Sequence, residues 1–244
     1  MDRIIYLAAS GANAAMARQQ ALSNNLANVS TPGFRAELST HRSVPLEGSG
    51  ASTRVFALEA TAGHLDKPGP ITMTGRNLDV AARGGAYFAI QGLDGTEAYT
   101  RAGALEVTQD GNLVNPQGLS VLDTGGAPIS IPQGAQVQFG ADGTITARVG
   151  TERPQAIGRL KLVTPTEDER LTRSEDGFFR SATGPLNADL NARMQDGALE
   201  GSNVNPIEAM VGMIQVARQF EQQMKLLQTA EKNDQTAAQL LNMG

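Results

Sequence analysis

Residues 23–35 of this chain read SNNLANVSTPGFR, and they mark the end of a first helical segment. Apart from one arginine at position 18, that segment carries no charge between residues 4 and 34. Thr31-Pro32-Gly33 predicts where the helix ends, and the asparagines can bond to the backbone groups freed there. Seven positions upstream follow steps of three and four, which predicts a seam for a partner helix: Ile5, Ala8, Ala12, Ala15, Gln19, Leu22 and Leu26.

A second helix is predicted near the other end of the sequence. Asn205 is suited to cap its start, and Pro206 to occupy its first position. Apolar residues then recur at heptad spacing through Met213, Val216, Phe220, Leu227 and Leu241. A second apolar row, beginning at Ile207, widens the stripe. A helix of roughly 35 residues is longer than most helices of globular domains, which favours a coiled-coil partnership with the first helix.

Between the helices the sequence changes character. Of the 27 glycines and 11 prolines, 24 and 10 respectively lie between residues 31 and 204. Short apolar runs there are separated by Asp-Gly pairs, which favour hairpin turns because their residues tolerate positive φ. The predicted fold is α+β: long N- and C-terminal helices form a coiled-coil domain around an inserted, mainly antiparallel β domain. The predicted boundaries are 1–35 with 203–244 for the helical domain, 36–75 for an extended connector and 76–202 for the β-rich body.

Composition excludes several classes of protein. The chain has no cysteine, which removes a disulfide scaffold and a thiolate zinc site. A pI near 5.1 disfavours nucleic-acid binding, and 40% apolar content with 18% charge disfavours disorder. Ser10, Gly11 and Asn13 interrupt the first apolar stretch, so membrane insertion and a cleaved signal peptide are not expected.

No catalytic or metal-binding pattern is present. The two histidines, His41 and His64, lack ligand spacing, and Asp110 and Asp142 each precede a glycine in a turn context. We therefore expect no enzyme activity, no cofactor and no metal. A wall-cleaving enzyme would need paired carboxylates in a groove, and the sequence offers no convincing pair. A secreted β-rich binding module remains an alternative.

The stretch around residues 24–34 resembles a signature of the bacterial flagellar axial proteins, N-N-L-A-N-x-x-T-x-G-F. Residues 99–122 and 199–221 are similar to the central and C-terminal signatures of the same family. The likeness spans nearly the whole chain and is vaguest over 36–74. Every fixed position of the first signature is matched, by Asn24, Asn25, Leu26, Ala27, Asn28, Thr31, Gly33 and Phe34.

The resemblance implies a structural subunit of the flagellar basal-body rod, most similar to a proximal-rod subunit, with a distal-rod paralogue as the alternative. Such a subunit would polymerise through its terminal helices into the drive shaft that transmits torque from motor to hook. The eight signature residues would form the assembly motif. The helix–helix interface is predicted at Ile5, Leu22, Leu26, Met213, Val216, Phe220, Leu227 and Leu241.

The resemblance also implies partners and a location. The partners would be other rod subunits, further copies of the chain in a helical assembly, and the flagellar type III export apparatus in transit. The location would be the periplasmic rod, reached without cleavage of a signal peptide. Nucleic acid and membrane insertion are not expected.

Overall fold

The computed structural model describes residues 2–45 and 55–242. The chain divides into two compact units. Unit 1 comprises Met1–Val29, Ala36–Leu65 and Val204–Gly244, and unit 2 comprises Ser30–Arg35 and Asp66–Asn203. The two helices and the antiparallel sheets confirm the predicted α+β class.

Unit 1 contains both helices, α1 (Asp2–Ala27) and α2 (Pro206–Asn242), and the two strands β1 (Glu37–Pro45) and β2 (Val55–His64). α2 begins as predicted, because Asn205 Oδ1 accepts hydrogen bonds from the amides of Ile207 and Glu208. None of the helices among the described residues is long and apolar enough to cross a membrane.

The two helices pack against each other in antiparallel directions. A methyl group in place of the Gly11 hydrogen would lie 3.0 Å from Cδ of Gln223. A methyl group on Gly212 would lie 3.2 Å from Cδ1 of Leu22. The first half of α1 therefore lies beside the middle of α2, the last part of α1 lies beside the start of α2, and both glycines allow the helices to approach closely. Ala8, Ala12 and Ala15 of α1 are buried.

Residues 36–75, which the sequence suggested to be an extended connector, contain regular structure. β1 and β2 pair as an antiparallel hairpin, and both contact α1. Periodicity in this Ser- and Gly-rich stretch is too weak to indicate strands. Contacts with α1 supply the order, since an isolated two-stranded hairpin is only marginally stable in water.

Unit 2 consists of short antiparallel strands. A five-stranded sheet has the order β12-β5-β6-β14-β13, and a three-stranded sheet has the order β11-β10-β9; β15-β4, β16-β3 and β7-β8 form pairs. The strands are β3 (Ile71–Met73), β4 (Val80–Ala82), β5 (Tyr87–Gln91), β6 (Glu97–Thr100), β7 (Glu106–Val107), β8 (Leu113–Val114), β9 (Ala135–Phe139), β10 (Thr144–Val149), β11 (Gln155–Arg159), β12 (Leu162–Val163), β13 (Leu171–Arg173), β14 (Phe179–Ser181), β15 (Met194–Asp196) and β16 (Ala198–Glu200).

Four of the five Asp-Gly pairs lie in hairpins, as predicted, and the fifth, Asp196-Gly197, joins β15 to β16, which pair with other strands. The four connect paired strands: β5 to β6, β7 to β8, β9 to β10, and β13 to β14. Their glycines, at positions 95, 111, 143 and 177, all have positive φ. Central strand β5 is buried on both faces: Phe88 and Ile90 join one apolar cluster, and Tyr87 and Ala89 join another.

Candidate functional site

The asparagines of the 23–35 stretch join the end of α1 to the start of β1 within unit 1. Asn25 is buried, and its amide bonds twice to the backbone of Glu37: Nδ2 donates to the carbonyl at 2.9 Å, and Oδ1 accepts from the amide at 2.7 Å. Asn24 Nδ2 donates to the Glu37 carboxylate at 2.8 Å. Only a side-chain amide offers both a donor and an acceptor in this way.

Asn28 acts on the helix end itself. Its Nδ2 donates to the Asn24 carbonyl at 2.9 Å and to Asn24 Oδ1 at 2.8 Å. The same carbonyl also accepts the Asn28 backbone amide at 3.1 Å, so the side chain adds a second bond to it. Asn28 thus bonds within the last turn of the helix, to a carbonyl that keeps its helical partner, whereas Asn25 bonds to the neighbouring strand.

The next six residues, Ser30–Arg35, belong to unit 2, and we call them the strap. The strap turns back on itself, with the Phe34 amide donating to the Thr31 carbonyl at 3.3 Å. The Gly33 amide donates to the Glu200 carbonyl at 2.7 Å. Gly33 has a φ of 70°, and a Cβ there would lie 2.3 Å from the Ala102 nitrogen. Only glycine fits this position, because the strap touches backbone.

Phe34 is the apolar anchor of the strap. Its ring is 5% exposed, and the guanidinium carbon of Arg173 lies 4.4 Å from the ring centroid. This is the geometry of a cation–π contact. Arg173 Nη1 also donates to the Arg35 carbonyl at 3.3 Å, and the Asn203 amide donates to the Phe34 carbonyl at 3.3 Å.

Arg35 ends the strap in a buried charge cluster with Arg101 and Glu200. Arg35 Nη1 lies 2.6 Å from Glu200 Oε1, and Arg101 Nη2 lies 2.5 Å from Glu200 Oε2. Each of the three residues is 1% exposed. The Gly69 amide donates to Glu200 Oε1 at 3.0 Å. One carboxylate thus pairs with two buried guanidinium groups, which offsets the cost of burying their charges, and Arg35 Nε is left without a hydrogen-bond partner.

Arg101 makes further bonds that hold it in unit 2. Nη2 donates to the Ala82 carbonyl at 3.1 Å, and Nη1 donates to the Ala86 carbonyl. Burial lowers the pKa of Arg101 from its ordinary value, and the contact with Glu200 opposes that shift. Burial also raises the pKa of Tyr87, whose ring lies under the Arg101 guanidinium.

Other charged side chains of unit 2 are paired as well. A cavity of about 600 Å³ is lined by Asp94, Glu97 and Arg180 among others. Arg180 pairs with Asp94, and Lys161 pairs with Glu97. Among the described residues, no group of three or more His, Asp or Glu could hold a metal ion.

Known proteins resemble this chain along its whole length. It is 42% identical over 253 residues to the flagellar basal-body rod protein FlgF of Salmonella typhimurium, and 100% of both chains is covered. It is 43% identical over 255 residues to the FlgF of Escherichia coli, again with full coverage of both. The chain belongs to the flagellar basal-body rod protein family. The FlgG rod protein of Bacillus subtilis is 29% identical over 266 residues, covering 100% of this chain and 99% of that protein.

Three family models of flagellar rod and hook proteins match separate segments of the chain. Residues 5–35 match "Flagella basal body rod protein", residues 81–147 match "Flagellar hook protein FlgE/F/G D1 domain", and residues 195–240 match "Flagellar basal body rod FlgEFG protein C-terminal". Arg35, Arg101 and Glu200 fall in the first, second and third segment respectively. The charge cluster therefore brings together all three family segments.

The eight predicted motif residues occupy different environments. Gly33 and Phe34 are buried in unit 2. In unit 1, Asn25 is buried, Leu26 and Asn28 are half-buried, and Asn24 and Ala27 are exposed. Thr31 contributes its carbonyl to the strap turn. Sequence reasoning did not single out Arg35, Arg101, Arg173 or Glu200. Arg35 directly follows the first quoted signature, Arg101 and Glu200 lie among other charged residues of the second and third, and Arg173 lies outside all three.

The predicted interface residues are placed along the helices. Val216 is 2% exposed. Ile5, Leu22, Leu26, Met213, Phe220 and Leu227 are half-buried. The side chain of Leu241 lies outside the described part of the chain. Leu22 contacts Gly212 directly.

Proposed function

We propose that this chain is a structural subunit of the flagellar basal-body rod that joins other subunits through its terminal helices. The rod-protein relatives support this, since they match it over their full length. Identity to the FlgF of Escherichia coli is higher than identity to the FlgG of Bacillus subtilis, which favours the proximal rod over the distal rod. In the rod, the subunit would be a segment of the drive shaft that carries torque from motor to hook.

The observation that carries the proposal is a row of exposed apolar side chains on α2. Ile207, Met210, Ile214, Ala217 and Met224, which we call the apolar stripe, follow heptad spacing. Ile207 is 69% exposed and Ile214 is 56% exposed. The row is interrupted only by Glu221, between Ala217 and Met224, and an exposed apolar row of this kind marks an interaction surface.

The apolar stripe is distinct from the seam that faces α1. Ala209, Val216 and Ala230 on the seam are buried. At 100° per residue, the stripe lies roughly 100° around the helix from the seam. We infer that α2 has room for two helical neighbours: α1 within the chain, as an antiparallel coiled-coil pair, and a helix of an adjacent subunit.

The proposal extends to domains, partners and location. Residues 1–35 and 203–244, which contain the two helices, would form the rod-building domain. Residues 76–202 would form the β body. Partners would be other rod subunits, further copies of the chain and, in transit, the export apparatus. The absence of cysteine suits passage to the periplasm, because no disulfide can trap the chain. We propose no enzymatic role.

The test is an Ile214→Asp substitution in full-length protein expressed in cells that lack the native copy. A buried, unpaired carboxylate at a subunit contact is strongly unfavourable, so the variant should be absent from isolated basal bodies and motility should be lost. Gln215→Asp is the matched control, because Gln215 is exposed and faces away from both the seam and the stripe.

Circular dichroism of the purified monomers separates folding from assembly. Both variants should retain the helical signal of the parent, since both positions are exposed. Normal incorporation of the Ile214→Asp variant would contradict the proposal, as would equal loss of incorporation for Gln215→Asp.

A further inference from the structure

The strap is held on unit 2 without any strand ladder. Its contacts include the Gly33 amide to the Glu200 carbonyl, the Asn203 amide to the Phe34 carbonyl, the Phe34–Arg173 stacking, the bond from Arg173 to the Arg35 carbonyl and the Arg35–Glu200 ion pair. None of its six residues is part of a helix or strand. The rest of unit 2 is built on antiparallel pairs. The contacts named here can therefore break without disturbing a sheet.

The buried charges of Arg101 and Glu200 stay paired when the strap leaves. Arg101 keeps its ion pair with Glu200 and its bonds to the Ala82 and Ala86 carbonyls. Glu200 keeps the Gly69 amide, and its strand β16 keeps its pairing with β3. A buried charge left alone would make undocking very costly, but here the carboxylate retains one guanidinium partner.

We propose that the strap is a latch that opens and closes on unit 2 as one piece, and that Glu200 is the residue that positions it. Glu200 touches the strap at two atoms, with its carbonyl on Gly33 and its carboxylate on Arg35. Closing the latch also bonds the Asn203 amide, whose side chain is held separately by the Lys67 carbonyl.

The order in which β16 forms and the latch closes follows from their separation in the sequence. Arg35 and Glu200 are 165 residues apart. The latch cannot close until β16 has formed, so a chain delivered from its first residue onward keeps the strap open until nearly all of it has arrived. The signature residues Thr31, Gly33 and Phe34 would then serve closure of the subunit rather than contact between subunits.

Hydrogen exchange of the full-length protein, read by mass spectrometry, tests the latch. When the latch is closed, the Gly33 and Asn203 amides are bonded. Peptides covering 30–36 and 200–204 should exchange together, and faster than peptides covering β5 and β6, because sub-global opening needs less free energy than global unfolding. If the strap exchanges at the same rate as β5 in the unmodified protein, the proposal is wrong.

A substitution provides a second test of the latch by hydrogen exchange. Arg35→Gln removes the charge that binds Glu200 and should accelerate exchange in 30–36 and 200–204 by roughly tenfold or more, because a bond to a charged group is lost. Exchange in β5 and β6 should stay unchanged. Arg148→Gln is the control, since Arg148 is exposed and bonds only to Gln136 among the contacts described. Equal acceleration in β5 would show one cooperative core and would contradict a latch.

Discussion

Replacing Gly33 with alanine tests the close fit of the strap most directly. The residue has a φ of 70°, and the new Cβ would lie 2.3 Å from both the Ala102 nitrogen and the Arg101 carbonyl carbon. Ordinary contacts begin at 3.4 Å, so the strap must retreat by about 1 Å. That displacement would take the 2.7 Å bond from Gly33 to Glu200 beyond bonding distance.

The expected cost can be summed from its parts. An L-residue in the left-handed region costs about 1–2 kcal/mol. Loss of the backbone bond adds about 1 kcal/mol, and weakening of the charged Arg35–Glu200 bond adds about 1–2 kcal/mol. Gly33→Ala should therefore lower the free energy of unfolding of unit 2 by about 3–5 kcal/mol.

Gly134→Ala is the matched control for this measurement. Gly134 has the same φ of 70°, but a Cβ there would meet nothing within 4 Å. Gly134→Ala should lower the free energy of unfolding only by the cost of the left-handed backbone, about 1–2 kcal/mol. Urea unfolding can be followed by tyrosine fluorescence, since Tyr87 and Tyr99 are buried in unit 2. Equal costs for the two variants, within about 0.5 kcal/mol, would refute the argument that the strap is tightly docked.

Three further substitutions test the neighbouring contacts. Asn25→Ala removes both bonds to Glu37 and should lower the free energy of unfolding of unit 1 by about 1–3 kcal/mol, whereas the exposed Asn13→Ala should cost less than about 0.5 kcal/mol in thermal unfolding by circular dichroism. Glu200→Gln leaves two buried guanidinium groups without a counter-charge and should cost about 3–5 kcal/mol in urea; a loss no larger than that of the exposed Glu152→Gln would contradict the cluster's role. Burial raises the pKa of Tyr99, so it stays neutral in the folded protein at a pH where unfolded tyrosine ionises. The contribution of Tyr99 to the free energy of unfolding is therefore complete below about pH 10 and is lost as the pH rises further. Tyr99→Phe should flatten the fall in stability measured between pH 10 and 11, and parallel curves for parent and variant would count against this.

Much of the fold follows from short-range features. The heptad rows of α1 and α2 indicate helices because apolar side chains three and four residues apart share a face. Asn205-Pro206 marks the start of α2, and the Asp-Gly pairs mark hairpins through their tolerance of positive φ. Each of these signals acts within a few residues.

The candidate site was only half visible in the sequence. Asn28 bonds within four residues, so its role at the helix end could be predicted. Asn25 bonds to Glu37 twelve residues away, across the strap. The β1–β2 hairpin was also missed, because its order comes from packing on α1 rather than from its own pattern.

By itself, the sequence determined the two helices, the antiparallel character of the middle and membership in a family with a recognisable signature. Only the tertiary structure decided that Arg35, Arg101 and Glu200 meet, and that one signature is divided between two units. The physical reason is that helix periodicity and turn conformation are local free-energy terms. Whether a lone arginine is exposed or buried depends on which carboxylate, here 165 residues further along the chain, reaches it in the fold.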